Sequence, residues 1–118
     1  MNTLEYYCDK KCAVMVITDE TMKTVGIAEQ ELEGVSNLPR QIEGVEVGVT
    51  IVQREQGVYK ISMRTNEYIN ACEVCKKFDG GGHIRASGCT ILGTLEEVKD
   101  QIISTLEDEF EQNHFQSK

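Results

Sequence analysis

Short apolar segments along the chain predict four strands. The continuous run 12–17 indicates a buried strand, and strict alternation over residues 45–51 indicates a half-buried one. Residues 58–64 alternate in the same way, and a shorter segment follows at 88–91. Because successive side chains of a strand point to opposite faces, the third strand turns one apolar set toward the core and one polar row away from it. The apolar set is Tyr59, Ile61 and Met63, and the polar row is Lys60, Ser62 and Arg64.

Helices in the first half of the chain are indicated by capping residues. Thr18 is suited to cap a helix over about residues 19–25, and Gly26 is suited to end it. Helical turns are also expected around residues 29–35, and Pro39 interrupts them. These segments lie between the first and second predicted strands, so they form the connection between them.

Two capping-box patterns predict the helices of the second half. Asn70 followed by Glu73 opens a short helix with an apolar face. Thr94 followed by Glu97 opens a long amphipathic helix that carries apolar residues at spacings of three and four as far as Phe110. Each helix follows or precedes a predicted strand, which gives the chain an alternating order of elements.

This alternation predicts an α/β fold, with a mixed β-sheet of about four to five strands flanked by helices. The 118 residues fit a single domain, 1–118, with no linker and no internal repeat. We expect the core over about residues 10–110 and a polar tail, 111–118, that frays.

The charge distribution limits the nature of the partners. The formal net charge is −8, so the body of the domain repels long polyanions and a duplex-coating role is excluded. Residues 53–88 carry six basic and four acidic side chains, and they form the one stretch with a positive balance. A small anionic ligand in a local positive pocket is compatible with this pattern.

The N-terminus and the apolar segments bear on location. Residues 1–7 lack a basic start followed by an apolar run, and no apolar stretch approaches the length of a spanning helix. We therefore expect a cytoplasmic protein without a membrane partner. The five cysteines are an odd number, which favours reduced thiols over a disulfide framework in that compartment.

A glycine cluster in the segment 78–88 carries the most informative chemistry, and its sequence is Phe-Asp-Gly-Gly-Gly-His-Ile-Arg-Ala-Ser-Gly. Three successive glycines are costly in backbone entropy unless the backbone approaches a ligand or adopts positive φ. Consecutive amides in such a turn can form an anion-binding concavity, and His83 and Arg85 add hydrogen-bond donors. A glycine-rich helix terminator without a ligand is the alternative. The adjacent His83 and the polar strand face with Ser62 and Arg64 favour a functional loop over this alternative.

The pattern Gly-Gly-Gly-His-x-x-Ala-Ser-Gly resembles the signature of the DHH-associated domain, type 1. That domain is the C-terminal half of DHH phosphoesterases, which include bacterial oligoribonuclease/pAp phosphatases. The resemblance extends to the sequences Ile-Glu-Gly-Val-Glu-Val at 42–47 and Lys-Ile-Ser-Met-Arg-Thr at 60–65, and to the first strand and its capping turn at 14–18. It covers the chain from about residue 10 to about residue 108.

The resemblance implies a ligand set on this chain. Arg64 is implied to contact a substrate phosphate, and His83 the phosphate or the adjoining nucleotide. The glycines implied to present backbone N–H groups are Gly80, Gly81 and Gly82. Further residues implied to line the pocket are Ser62, Arg85, Ala86 and Ser87. The chain departs from the family pattern at three positions, where the family usually has Gly, Ala and Ser: Asp79, Ser87 and Thr65.

The resemblance also implies what other parts of such an enzyme supply. In the family, an N-terminal domain with an Asp-His-His motif holds two divalent metals, typically manganese, and performs the cleavage. This sequence contains no Asp-His-His, and its two histidines, His83 and His114, are too few for that site. We therefore expect no catalytic residue, cofactor or metal in this chain. The expected partners are a short RNA or pAp-like nucleotide and an N-terminal DHH domain of the same polypeptide.

Two other functions stay open at this point. The chain is also compatible with a domain of a cyclic dinucleotide phosphodiesterase, or with a stand-alone, non-enzymatic RNA-binding or interaction module. The pair Cys72-x-x-Cys75 invites a zinc or redox interpretation. Because a structural zinc site needs four ligands, we interpret these cysteines as buried or idle thiols.

Overall fold

The structure, a computed structural model, describes residues 4–26 and 28–116. Its strands form one mixed sheet. The strands are β1 (Leu4–Tyr7), β2 (Cys12–Ile17), β3 (Val47–Glu55), β4 (Val58–Thr65), β5 (Gly81–His83) and β6 (Ala86–Leu92). Their order across the sheet is β1-β2-β3-β4-β6-β5, with β2 and β3 parallel and the other neighbours antiparallel. The predicted α/β class with a mixed sheet is confirmed.

The described residues form four α-helices, and three of them begin directly after a capping residue that the sequence indicates. They are α1 (Asp19–Val25), α2 (Leu32–Ser36), α3 (Ala71–Lys76) and α4 (Leu95–Gln116), with 3-10 turns at Glu29–Glu31 and Pro39–Gln41. The Asn70 side chain accepts a hydrogen bond from the Glu73 amide, at 3.0 Å. Thr94 and Glu97 form the reciprocal capping box, with bonds of 2.9 and 3.1 Å. The predicted helix starts are therefore confirmed.

The sheet has six strands, more than the four to five expected. The two additional strands, β1 and β5, are the edge strands of the sheet. β1 has the sequence Leu-Glu-Tyr-Tyr and is only partly buried, and β5 consists of Gly81, Gly82 and His83. Neither carries an apolar period, so pairing with a neighbouring strand is what makes them strands. At the other end of the chain, α4 continues past Phe110 to Gln116.

One face of the sheet holds the core. Tyr59, Ile61 and Met63 of β4 are buried there, as the alternation predicts. The same cluster contains the buried residues of α3 and of α4, so both helices pack on this face. Each such buried side chain stabilises the fold by about 1.5–3 kcal/mol. Among the described residues, no helix is long and apolar enough to span a membrane.

The opposite face is covered only in part. Thr50 of β3 donates a hydrogen bond to the carbonyl of Ser36 in α2, at 3.5 Å. Gly48 of β3 lies under the turn at Pro39–Gln41, where a Cβ would stand 3.0 Å from the Pro39 carbonyl carbon. This layer packs mainly against β3, so the part of the same face formed by β4, β6 and β5 stays open.

A buried carboxylate fixes the loop that leads from β4 to α3. Glu46 is 5% exposed, and its oxygens accept hydrogen bonds from the backbone amides of Glu67, Tyr68 and Ile69 at 2.8–3.1 Å. A buried charge is tolerated only when it is hydrogen-bonded, and here three amides of one loop supply the donors. The loop conformation therefore depends on Glu46.

We predict that Glu46→Ala lowers the free energy of unfolding by about 2–4 kcal/mol, because it leaves three loop amides without their acceptor. Glu46→Gln should lower the free energy of unfolding by less, since the glutamine side chain keeps one carbonyl oxygen as an acceptor for the loop amides. Urea denaturation measures both losses. The exposed neighbour Glu43 is the control, and Glu43→Ala should stay within about 0.5 kcal/mol of the parent. Equal effects at the two positions would show that the loop does not need the carboxylate.

The end of α3 explains one departure from the family pattern. The amide of Asp79 donates to the carbonyl of Lys76 at 3.1 Å, and the amide of Gly80 donates to Cys75 at 2.9 Å. This is the Schellman arrangement, in which the residue after the helix adopts the left-handed conformation. Asp79 has φ of 62°, where glycine is the least strained residue. A glycine at this position would therefore end α3 with less backbone strain than Asp79 does.

We predict that Asp79→Gly raises the free energy of unfolding by about 0.5–1 kcal/mol, because glycine adopts positive φ without strain. Asp79→Ala is the matched control, since it removes the charge and keeps the strain. Thermal or urea unfolding of the three proteins separates the causes. If alanine stabilises as much as glycine, the gain comes from the charge and the conformational explanation fails.

Candidate functional site

Arg64 and His83 stand in one row across the open part of the sheet. In the strand register, Arg64 of β4 lies opposite Ala86 of β6, and Ala86 lies opposite His83 of β5. Directly opposed residues of antiparallel strands share a face, so both side chains rise from the same surface. Their Cα atoms are two interstrand spacings apart, roughly 10 Å. Side chains of this length can therefore reach one phosphate group between them.

A second row beside the first has almost no side chains. Ser62 of β4 lies opposite Gly88 of β6, and Gly88 lies opposite Gly81 of β5. These positions are two residues along from the first row, so they lie on the same face. The two rows form a shallow basin with a floor of small residues and a cation at its edge. We call it the cradle, and its residues are Ser62, Arg64, Gly81, His83, Ala86 and Gly88.

The three successive glycines are needed for different reasons. A Cβ on Gly80 would collide with the Gly88 carbonyl and would stand 2.6 Å from the Cβ of Cys89. Gly82 has φ of 145°, and a Cβ there would lie 2.8 Å from the Ala86 carbonyl. Gly81 has ordinary φ, and its Cβ would meet nothing within 4 Å. Packing thus explains Gly80 and Gly82, whereas Gly81 leaves open space above the cradle.

The turn that carries His83 is held on several sides. Only Ile84 and Arg85 separate β5 from β6, so His83 and Ala86 are the last pair of a tight hairpin. The Ile84 carbonyl accepts from the Ala71 amide at 2.8 Å, and the Arg85 carbonyl accepts from the Thr65 amide at 2.9 Å. The hairpin is therefore bonded to the end of β4 and the start of α3.

The Arg85 guanidinium strengthens this attachment. It donates to the carbonyl of Ile69 at 2.6 Å and to the Thr65 hydroxyl at 3.1 Å. Such charge-assisted bonds are stronger than those between neutral groups. The Ile69 amide is bonded to Glu46, so hairpin, loop and strand form one connected set of hydrogen bonds. The position of His83 relative to Arg64 depends on this set.

Three residues expected in the ligand set make hydrogen bonds within the protein. Arg85 is engaged by Ile69 and Thr65, as described. Ser87 is 5% exposed, lies on the core face of β6, and donates to the His83 carbonyl at 2.6 Å. The Gly80 amide donates to Cys75. These intramolecular hydrogen bonds help to hold the site together, and contact of the three residues with a ligand stays a prediction.

The cradle combines cationic and open polar groups. His83 is exposed, and Arg64 and Ser62 are half-buried. Lys60 lies outside the cradle, four residues from Arg64 on the same face of β4. A guanidinium and an imidazole at this spacing can donate charge-assisted hydrogen bonds to the oxygens of a phosphate. Such an arrangement of donors is chemically suited to an anion.

Metal chemistry has no comparable set of donors here. Within residues 4–26 and 28–116, no three His, Cys, Asp or Glu side chains are grouped so that they could hold a metal ion. All five cysteines are free thiols. The hydrogen bond with Cys89, together with burial, raises the pKa of the Cys75 thiol. A thiol kept protonated in this way is a poor metal ligand and a poor nucleophile.

Sequence reasoning missed Gly88 as part of the cradle. Gly88 was identified only as the start of a short strand, whereas β6 begins at Ala86. Extending the alternation back from Ile91 places Cys89 and Ser87 on the core face, and Gly88 and Ala86 on the other. That signal is present in the sequence. The pairing with Ser62 and Gly81 is not, because it depends on the register of three strands.

Comparisons with known proteins agree with this architecture. The family model of the DHHA1 domain matches residues 9–112. The bifunctional oligoribonuclease and PAP phosphatase NrnA of Thermus thermophilus is 32% identical over 83 residues, which cover 70% of this chain and 25% of that protein. A probable NrnA of Streptococcus mutans is 28% identical over 84 residues, covering 71% and 27%.

A solved structure has the same fold. An exopolyphosphatase-related protein from Bacteroides fragilis matches with a TM-score of 0.79 and 27% identity, over 89% of this chain and 31% of that one. The chain spans about a quarter of the length of the curated relatives it matches. The family match covers all three strands of the Arg64 row and the glycine cluster. The chain belongs to the DHHA1 domain family.

Proposed function

We propose that this domain binds a phosphate of a short oligoribonucleotide or pAp-like nucleotide and positions it for hydrolysis by an N-terminal DHH domain of a longer polypeptide. The observation that carries the proposal is the row of Arg64, Ala86 and His83 on the open face of the sheet. In this row Arg64 and His83 stand on opposite sides of Ala86, whose small side chain leaves the space between the two donors open.

The cradle residues have separate roles in this binding. Arg64 donates to phosphate oxygens and supplies a permanent positive charge. His83 donates from the opposite side, so the phosphate is fixed in direction as well as in position. Gly81 leaves the space that a phosphate or ribose needs above the strand. The bonds of Arg85 to Ile69 and Thr65 keep the His83 hairpin in place before the ligand arrives, which lowers the entropic cost of binding.

The hydrolytic step itself needs groups that the described residues do not group together. In our proposal a DHH domain holds manganese, which would activate water and neutralise charge on the phosphate. No group of donors for such a metal site is present within residues 4–26 and 28–116, and in our proposal this domain holds one end of the substrate. Holding the substrate in this way makes the reaction effectively unimolecular, which accounts for large rate effects in enzymes.

The relatives support this substrate class. The matched NrnA proteins are named as acting on oligoribonucleotides and PAP, and the chain corresponds to about a quarter of each. We propose the same substrate class here, in a cytoplasmic setting that suits five free thiols. The net charge of −8 also favours short ligands, because a long polyanion would be repelled outside the cradle.

The two alternative functions give different binding results. A cyclic dinucleotide phosphodiesterase domain would bind cyclic di-AMP more tightly than linear pApA. A stand-alone RNA-binding module would bind a long single strand more tightly than a dinucleotide. A titration of the chain with these three ligands separates the functions, and preference for linear pApA supports the one proposed.

We predict that Arg64→Ala weakens binding of pApA and pAp by about 1.5–3 kcal/mol, because it removes a charge-assisted contact. Calorimetric titration measures the loss. Lys76→Ala is the matched control, since it removes one exposed cation from α3 on the other side of the sheet. Its affinity should match that of the parent. Equal losses for both variants would mean that only net charge matters and that Arg64 makes no specific contact.

We predict that Gly81→Ala leaves the melting temperature unchanged and weakens pApA binding by about 1–3 kcal/mol, because one methyl group occupies the ligand's space. Gly82→Ala should instead lower the melting temperature, since its φ is positive and its Cβ meets the Ala86 carbonyl. Unfolding and binding are measured on both variants. Unchanged affinity in the Gly81 variant would remove this glycine from the site.

A further inference from the structure

A second cavity lies beside the cradle on the same face of the sheet. Its volume is about 400 Å³, within the range of small-molecule sites. Ser62 lines this cavity and also belongs to the cradle, so the two are continuous. On the other side, Leu32 and Ser36 of α2 form a wall where the helical layer ends.

The lining of this cavity differs from that of the cradle. Val52 is 3% exposed and forms an apolar part of the floor. The side chains of Arg54 and Lys60 are exposed at its edge, and both are cationic. An apolar floor suits a nucleobase, and the planar guanidinium of Arg54 can stack on the face of that base. The ammonium of Lys60 is suited to a phosphate as a point charge.

The distance from the cradle indicates what size of ligand would use both. Lys60 and Arg64 are four residues apart on β4 and face the same way, so their Cα atoms are roughly 13 Å apart. Val52 lies directly opposite Lys60, which puts the apolar floor at that same end of the strand. A single phosphate between Arg64 and His83 therefore leaves the second cavity unfilled. A ligand with a further nucleotide extends into it.

We propose that this cavity, which we call the extension pocket, binds the second nucleotide of a single-stranded substrate whose phosphate lies in the cradle. The inference rests on the proposed function, because it needs the first phosphate to be held by Arg64 and His83. The extension pocket then makes the domain prefer a dinucleotide to a mononucleotide. Stacking of a base on the Arg54 guanidinium does not read the base edges, so the pocket tolerates different bases.

The test compares AMP, pApA and pApApA as ligands for the 118-residue chain. Their dissociation constants are measured by calorimetry or by NMR titration at one salt concentration. We expect pApA to bind about tenfold more tightly than AMP, and pApApA to add little, because the pocket holds one nucleotide. Equal affinity for AMP and pApA would overturn the extension pocket.

The variant Arg54→Ala/Lys60→Ala identifies the residues responsible. We expect it to lower pApA affinity about tenfold and to leave AMP affinity unchanged, since only the second nucleotide reaches these side chains. Both side chains are exposed, so the fold should be retained, and a melting curve checks this. Loss of AMP and pApA affinity by the same factor would overturn the proposal, because it would indicate a general charge effect.

Arg64→Ala separates this inference from the function on which it rests. We expect this variant to lower the affinities for AMP and for pApA by a similar factor, because both ligands place a phosphate in the cradle. If Arg64→Ala has no effect on either ligand, the cradle itself is wrong. If it weakens both while Arg54→Ala/Lys60→Ala changes neither, the cradle stands and only the extension pocket is refuted.

Discussion

A hairpin with two turn residues holds His83 opposite Ala86, and Ala86 opposite Arg64. The row survives only if the hairpin keeps its place, and backbone pairing over three residues of β5 is weak support. Hydrogen bonds from the Arg85 guanidinium to Ile69 and Thr65 provide further support for the hairpin. The Ile69 amide is in turn hydrogen-bonded to the Glu46 carboxylate. The arrangement of the basic side chains therefore depends on a buried acidic residue.

In the function that we propose, one face of the sheet stabilises the fold and the other binds the ligand. One face is covered by α3 and α4 and contains the apolar cluster. The other is covered only over the first strands, and its open part has glycines, alanine and serine for a floor. A floor without large side chains adds little to the core, so its composition is better explained by a ligand. The positive groups along β4 are local, within a chain whose net charge is −8.

Alternation in β4 was enough to predict the polar row with Arg64, because the period of a strand is a local property. It was not enough to predict β5, since Gly81 and Gly82 have no side-chain period and become a strand by pairing with β6. The roles of Arg85 and Glu46 were hidden for another reason. Their partners are distant in sequence, and alternation says which face a residue takes and not what lies above it.

The central claim is that Arg64 and His83 contact the same phosphate. A double-mutant cycle with Arg64→Ala, His83→Ala and both together, measured as the free energy of AMP binding, tests this most directly. We expect the double variant to lose less than the sum of the two single losses, with a coupling energy of about 0.5–3 kcal/mol. Strictly additive losses would mean that the two side chains contact separate groups, and would contradict a shared phosphate.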